Sequence, residues 1–267
     1  MRPHKGNSAL TEVLPPLVVG VIIVAAWEVG CHIFAVPTYL FPAPSAIAQA
    51  IAADTPGLMR ALWSTLEVAL IALGLATTIG SALAFLFVQN RLIERSFFPY
   101  AVIMQVTPIV AIAPLIIIWV REPFLALLVC AWIVAFFPIV ANTTVGLNSA
   151  DRNLLALFRL YDASPVQVLR YLKLPTALPF FLTGLRISGG LALIGAVVAE
   201  FVAGTGGAET GLAFRILEAG YRLAIPRLFA ALFLLSLTGI VIYLVLDGLS
   251  RVLLRHWHES ALEAEKE

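Results

Sequence analysis

Apolar and polar positions in this chain are sorted into long blocks rather than into short alternations. Apolar runs of about twenty residues recur, which is the length needed to cross a hydrocarbon core of roughly 30 Å. They predict six membrane-spanning helices at roughly 14–36, 62–89, 97–119, 124–147, 179–203 and 227–251. The alternating ten-residue strands of a membrane barrel are missing from the pattern. Between the first two runs, PTYLFPAPSAIAQAIAADTPG predicts one short surface helix after Ser45. Arg121-Glu122-Pro123 leaves room only for a tight hairpin. A single polar stretch interrupts the pattern, NSADRNLLALFRLYDASPVQVLRYLKLPTALP, Asn148 to Pro179. The segment FVAGTGGAETGLAFRILEAGYRLAIP holds the longest loop on the opposite side, about 204–226. The expectation is a single all-α transmembrane domain over 1–267.

Composition agrees: 61% of residues are hydrophobic and 12% charged, with a mean hydropathy of +0.97. Soluble domains are roughly half apolar. The net charge of +1 gives no footprint for nucleic acid. Cys31 and Cys130 lie inside apolar runs without CxxC or His-paired spacing, which fits buried thiols better than a metal or redox site. The first apolar run is too long for the apolar core of a secretory signal and is read as a retained span. Lys/Arg asymmetry sets the orientation. With the N-terminus inside, twelve of the 17 cations fall on the inner side: Arg2, Lys5, Arg91, Arg95, Arg152, Arg159, Arg170, Lys173, Arg186, Arg251, Arg255 and Lys266. Arg60, Arg121, Arg215, Arg222 and Arg227 remain outside. Both termini and the 148–178 loop are then cytoplasmic, and the tail HWHESALEAEKE reads as a solvated helix end. No internal repeat is visible, which counts against carriers built from inverted repeats.

Within the inner loop, Ser164, Pro165 and Gln167 supply an N-cap, a first-turn proline and the fourth residue of an S-x-x-Q capping box. Val166, Leu169 and Leu172 recur at a spacing that suggests one apolar face, with Gln167, Arg170 and Lys173 towards another. Proline removes an amide donor and clashes with the preceding turn, so the helix is expected to end at Leu174-Pro175. A short capped amphipathic helix suits docking into a partner's groove; lying on the membrane surface suits it equally.

Ionisable residues inside spans are costly and draw functional attention. Glu28 sits mid-span, where a helix partner or water near Trp27 and His32 is the commoner reason for such a residue. Glu67 and Asp247 lie near span ends, within reach of interfacial water. Glu200 precedes the glycine-rich outer loop and either lines the outer mouth or caps its span. Gly204, Gly206, Gly207 and Gly211 do not form G-x-x-x-x-G-K-[ST], so the loop is no phosphate cradle. From Gly211 a short helix is expected, with Arg215, Glu218 and Arg222 giving one ion pair on a solvated face. Gly184, Ser188, Gly189, Ala192 and Gly195 allow the fifth span to approach a neighbour closely. The aromatic positions Phe97, Phe98, Tyr100, Phe136, Phe137, Phe180 and Phe181 read as packing or interface belt.

Tyr161-Asp162-Ala163-Ser164, with Leu174-Pro175 beginning ten positions after Ser164, resembles the EAA loop of ABC-importer permeases, whose pattern is E-A-A, three residues, G, nine residues, I-x-L-P. GLRISGGLALIGAVVAE (Gly184 to Glu200), VTPIVAIAPLIIIW (Val106 to Trp119) and FFPIVANTTVGL (Phe136 to Leu147) are similar to the nitrate/sulfonate/taurine-type permeases. The likeness covers nearly the whole chain. It departs at the E-A-A positions, occupied by Ala156, Leu157 and Phe158, which removes one contact of the family with its motor. It departs again at the glycine position, occupied by Asp162, one of the few residues that tolerates left-handed backbone. These departures resemble a branch associated with vitamin precursors such as pyrimidines or flavins.

The resemblance implies a type I ABC-importer permease of about six helices in a bacterial inner membrane, working as a homodimer. It implies two copies of a partner ATPase that hold ATP and Mg, an extracytoplasmic substrate-binding protein and surrounding lipid. No cofactor, metal or catalytic residue is expected in this chain. Asp162, Ala163, Ser164, Gln167, Leu169 and Pro175 would couple to the ATPase. Arg186, Ser188, Glu200, Arg215 and Arg222 would serve the pathway or outer gate. The rival readings are the transmembrane component of an energy-coupling-factor vitamin transporter, and a stand-alone carrier or membrane enzyme. The latter would need convergent polar groups deep in the spans.

Overall fold

The computed structural model describes residues 8–204 and 210–255. Arg2, His4, Lys5, Gly206, Gly207, Lys266 and the tail from His256 onward lie outside the described residues. Among those described, the chain is helical throughout: α1 (Ser8–Ile33), α2 (Pro44–Ala53), α3 (Thr55–Gln89), α4 (Arg91–Val106), α5 (Ile109–Val120), α6 (Pro123–Asn148), α7 (Arg152–Leu160), α8 (Pro165–Val168), α9 (Leu174–Ala203), α10 (Leu212–Tyr221) and α11 (Ile225–Leu254). Among the described residues five stretches are long and apolar enough to cross a membrane, Leu14–Ile33, Thr55–Gln89, Pro123–Asn148, Pro165–Ala203 and Ile225–Leu254, and a sixth is reached if the bent pair Leu92–Val106 and Ile109–Val120 counts as one span. The expected third span, 97–119, is not one straight helix. It is divided between α4 and α5, which meet at 99°. Pro108 has no amide to give and holds Thr107 in extended backbone (φ −73°, ψ 122°), so the helical ladder cannot continue through this pair. Apolar content across the break is continuous, which is why the hydropathy pattern alone ran through it.

The hairpin forms where expected. Arg121 adopts a positive φ of 57°, and Glu122 caps α6 by accepting from the amides of Phe124 and Leu125. The centre of the bundle is α6, packed most extensively against α9 and then α3. Alanines dominate this core: Ala69, Ala72, Ala76, Ala131, Ala135, Ala192 and Ala196 are all buried. Lipid is as apolar as leucine, so helices here gain by close backbone approach rather than by burying large side chains. Two positions show how close. A Cβ on Gly195 would sit 2.8 Å from the Ala131 Cα, and one on Gly184 would sit 2.7 Å from the Pro138 carbonyl oxygen. Ser188 Oγ donates to the Ala135 carbonyl at 2.6 Å, fastening α9 to α6. The small-residue stripe of the fifth span therefore faces α6 and α11, whose Leu246 occupies the space beside Gly189.

By contrast α1 stands apart, with nearly all its apolar side chains exposed between Leu14 and Val29. It is pinned at one end. Trp27 packs on Phe41 (ring centroids 5.1 Å) and Phe229 (6.3 Å), and Arg227 at the start of α11 pairs with Asp54 at the α2–α3 corner at 3.2 Å.

Candidate functional site

The arm begins at α7, an element the hydropathy pattern did not predict. A signal was present in Asp151 followed by an amphipathic LLALFRL. Asp151 Oδ1 accepts from the amides of Asn153 (2.6 Å) and Leu154 (3.2 Å), satisfying two of the four orphan donors of the helix start. The helix ends in a Schellman turn. The Ala163 amide donates to the Phe158 carbonyl, the Asp162 amide to the Arg159 carbonyl, and Asp162 takes φ +50°. The position where the resembling motif carries glycine is thus left-handed here, with Asp in its place.

Ser164 then opens the next helix with a complete capping box. Gln167 N donates to Ser164 Oγ (3.3 Å) and Ser164 N donates to Gln167 Oε1 (2.7 Å). The expected stop at Leu174-Pro175 does not occur. Leu169–Lys173 forms a π-helical turn, in which the Leu174 amide reaches back to the Leu169 carbonyl, and the chain runs on into α9. The wider turn admits Pro175 at the second position of α9 without breaking the rod. The arm and the fifth span are consequently one continuous 39-residue helical piece, Pro165–Ala203. The same turn spoils the expected apolar face, because Val166 is 71% exposed while Leu172 is buried at 6%. Leu160, Tyr161, Val166 and Tyr171 stand in solvent. Leu157, Phe158, Tyr161, Ala163, Gln167 and Tyr171 enclose a concavity of about 310 Å³. Exposed large apolar side chains gathered at one point mark an interaction site. Of the residues expected to couple, Asp162, Ala163, Ser164 and Gln167 lie together at this tip. Leu169 and Pro175 sit in the rod behind it.

At the opposite end, two short helices start with residues that cannot cap themselves. α10 begins after Gly211 and α2 after Ala43. Glu200, 5% exposed, supplies the missing acceptor for α10. Its Oε2 accepts from Ala213 N at 3.0 Å and its Oε1 from Thr65 Oγ1 at 2.7 Å. Thr65 Oγ1 in turn accepts from Leu212 N at 2.9 Å. A Cβ at Gly211 would collide with the Glu200 carboxylate, so only glycine leaves room for this cap. Glu28 does the same for α2. Its Oε2 accepts from Ser45 N (2.9 Å) and its Oε1 from Ser45 Oγ (2.7 Å), with His32 Nδ1 at 3.5 Å. A carboxylate at a helix N-terminus is also favoured by the partial positive charge there. Glu200 therefore caps a neighbouring helix rather than its own span, and Thr65 is the partner sequence reasoning missed; a lone threonine in an apolar run carries no distinguishing signal.

On α10, Glu218 pairs with both Arg215 (3.1 Å) and Arg222 (2.9 Å), two ion pairs where one was expected. Arg186 on α9 pairs with Asp247 on α11 at 2.6 Å, and Arg251 reaches the same carboxylate at 2.8 Å. Ser188 is fully buried and turned towards α6. Glu67 is exposed on α3. No cluster of three or more metal-ligating side chains occurs among the described residues.

Comparison with known proteins places this geometry in a family. Residues 76–258 match the family of the binding-protein-dependent transport system inner membrane component. The formylaminopyrimidine transport permease protein ThiX of Halalkalibacterium halodurans is 32% identical over 244 residues, covering 91% of this chain and 96% of that one. The riboflavin transport system permease protein RibX of Chloroflexus aurantiacus is 32% identical over 243 residues, covering 90% and 88%. In fold, the chain is similar to the methionine ABC transporter MetNI in an inward-facing conformation. That match has a TM-score of 0.61 at 19% identity and covers 73% of this chain and 95% of that one. With an apolar helical bundle, a projecting capped arm and a family match over more than half its length, the chain belongs to the inner-membrane permease components of binding-protein-dependent ABC importers.

Proposed function

We propose that the α7–α8 arm is the docking element for a separate ATPase, and that two copies of this chain with two ATPase subunits form the working importer. The carrying observation is the arm itself. Leu160, Tyr161, Val166 and Tyr171 are held out by a Schellman turn and a capping box and are exposed. The arm is continuous with α9, so a displacement of a docked motor is transmitted to the span as movement of a rigid rod. Asp162, Ala163, Ser164 and Gln167 fix the tip, and Leu169 and Pro175 fix its join to the membrane. ATP and Mg are held by the partner, and opening alternates between the two sides as the motors close. The termini and the arm lie on the cytoplasmic side, in keeping with the Lys/Arg asymmetry.

On the outer side, α10 with Arg215 and Arg222 forms the gate region that meets a substrate-binding protein, and Glu200 holds that helix in place. Arg186, clasped to Asp247, links α9 to α11 beside the pathway. Ser188 contributes by fastening α9 to α6. The cargo is a heterocyclic vitamin precursor of the pyrimidine or flavin kind, supported by the two relatives at 32% identity.

Gentle affinity purification followed by native mass spectrometry tests the assembly. Two copies of this chain with two ATPase subunits are expected. A chain that never retains an ATPase under mild detergent would overturn the docking role. A binding protein that co-purifies with it, screened against pyrimidine and flavin precursors and against sulfonates, decides the cargo; capture of a sulfonate alone would refute the vitamin-precursor assignment.

A further inference from the structure

Behind the arm lies a cleft of about 1010 Å³ that docking at the tip leaves unused. Its walls are α4, the end of α6, α7 and the π turn. Arg95, Arg152, Arg159 and Lys173 all line it, against a single carboxylate, Glu94. None of these four cations forms an ion pair among the described residues. Elsewhere Arg186 and Arg251 share Asp247, Arg215 and Arg222 share Glu218, and Arg227 holds Asp54. Asp151, at the start of α7, has an oxygen occupied by the first amides of that helix. Like charges gathered in a cleft walled partly by protein repel one another more than they would in water. The arrangement calls for an anion.

Phe98, Pro99 and Leu147 supply an apolar part of the same wall. The outer face of α4 carries exposed Leu92, Phe97, Tyr100 and Ile103, and α4 is bent 99° from α5. An amphipathic helix with aromatic residues on its apolar face and arginine on its polar face sits at headgroup depth. A basic pocket between helices on the cytoplasmic side is suited to an acidic phosphate headgroup. We propose that this cleft holds the phosphate of an anionic phospholipid from the cytoplasmic leaflet, with the glycerol end against Phe98 and Pro99. The lipid then bridges α4 to α7 and braces the arm from behind. The proposal rests on the preceding reading only for the side of the membrane on which the arm lies.

The test uses the full chain with its ATPase in nanodiscs of phosphatidylcholine, with or without phosphatidylglycerol. Retained lipid and retained ATPase are read together by native mass spectrometry. Phosphatidylglycerol is expected to stay with each chain in preference to phosphatidylcholine. Arg95→Gln and Lys173→Gln are each expected to lower its retention about fivefold, with inorganic phosphate failing to displace it. Displacement by inorganic phosphate would keep the phosphate chemistry but overturn the lipid as its source. Equal retention of the two lipids, or wild-type retention in the double variant, would overturn the site altogether. Loss of ATPase with lipid unchanged would assign the cleft to the motor contact instead, again overturning it. A wild-type chain that holds the lipid but no ATPase would sink the docking reading alone.

Discussion

The two ends of this molecule solve the same problem in opposite ways. Every short helix must satisfy the amides of its first turn. At the arm end α7 and α8 do so with their own residues, Asp151 and the Ser164/Gln167 pair. At the opposite, outer end of the proposed orientation α2 and α10 begin after Ala43 and Gly211 and borrow carboxylates from spans, Glu28 from α1 and Glu200 from α9. The difference separates two kinds of polar residue in an apolar chain. The borrowed caps tie surface helices to the bundle and are consumed in doing so. The self-capped arm needs nothing from the bundle to keep its shape, so its apolar tip remains free for another molecule.

The largest expected effect tests the outer end. Glu200→Ala strands the Ala213 amide in a buried site and leaves the Thr65 hydroxyl only the Ala61 carbonyl to donate to, a loss of about 3 kcal/mol, seen as a lower unfolding temperature of the purified protein. Glu28→Ala should lower it less, because water reaches the Ser45 amide once the carboxylate is gone. Equal shifts for the two would break the distinction between a buried and a wet cap. Next comes Asp162→Val, which places a β-branched residue in left-handed backbone at about 1–2 kcal/mol. ATPase association should fall with it, whereas Asp162→Gly should be tolerated or slightly stabilising. A fully coupled Asp162→Val importer would show that the Schellman turn is not needed for docking. Ser164→Ala removes half the capping box, about 1 kcal/mol locally. It should leave the unfolding temperature of the bundle nearly unchanged while raising hydrogen exchange at Gln167 and Val168. The smallest effect on stability, within about 0.5 kcal/mol, is expected for Leu160→Ser with Tyr161→Ser. The same double variant should lose its ATPase in pull-down. If it instead unfolds early and still binds the motor, the arm is a packing element and the comparison collapses.

Several of these features were legible in the residues alone. Apolar runs marked the spans, Arg121-Glu122-Pro123 marked the hairpin, and Ser164-Pro165-x-Gln167 marked the helix start. Each is either a sum over a window or an interaction across three residues, and such signals survive without knowledge of the fold. The break at Thr107-Pro108 and the helix after Asp151 were signalled too, by a proline and by an acidic N-cap, but the continuous apolar composition of the first and the charged neighbours of the second outweighed them. The run through Pro175 is different. There a proline that normally ends a helix is accommodated by a π turn, because α9 gains its packing on α6 only if the rod continues. Glu200 with Thr65, 135 residues apart, and Arg186 with Asp247, 61 apart, have no mark in local spacing. By itself, then, the sequence determined that the chain is built of long apolar helices, where the polar arm lies and how the arm's second helix begins. Which distant carboxylate caps which helix was decided only when glycines such as Gly184 and Gly195 let α9 close on α6. A polar group buried among apolar helices must find its hydrogen-bond partner in whichever backbone the packing brings within reach.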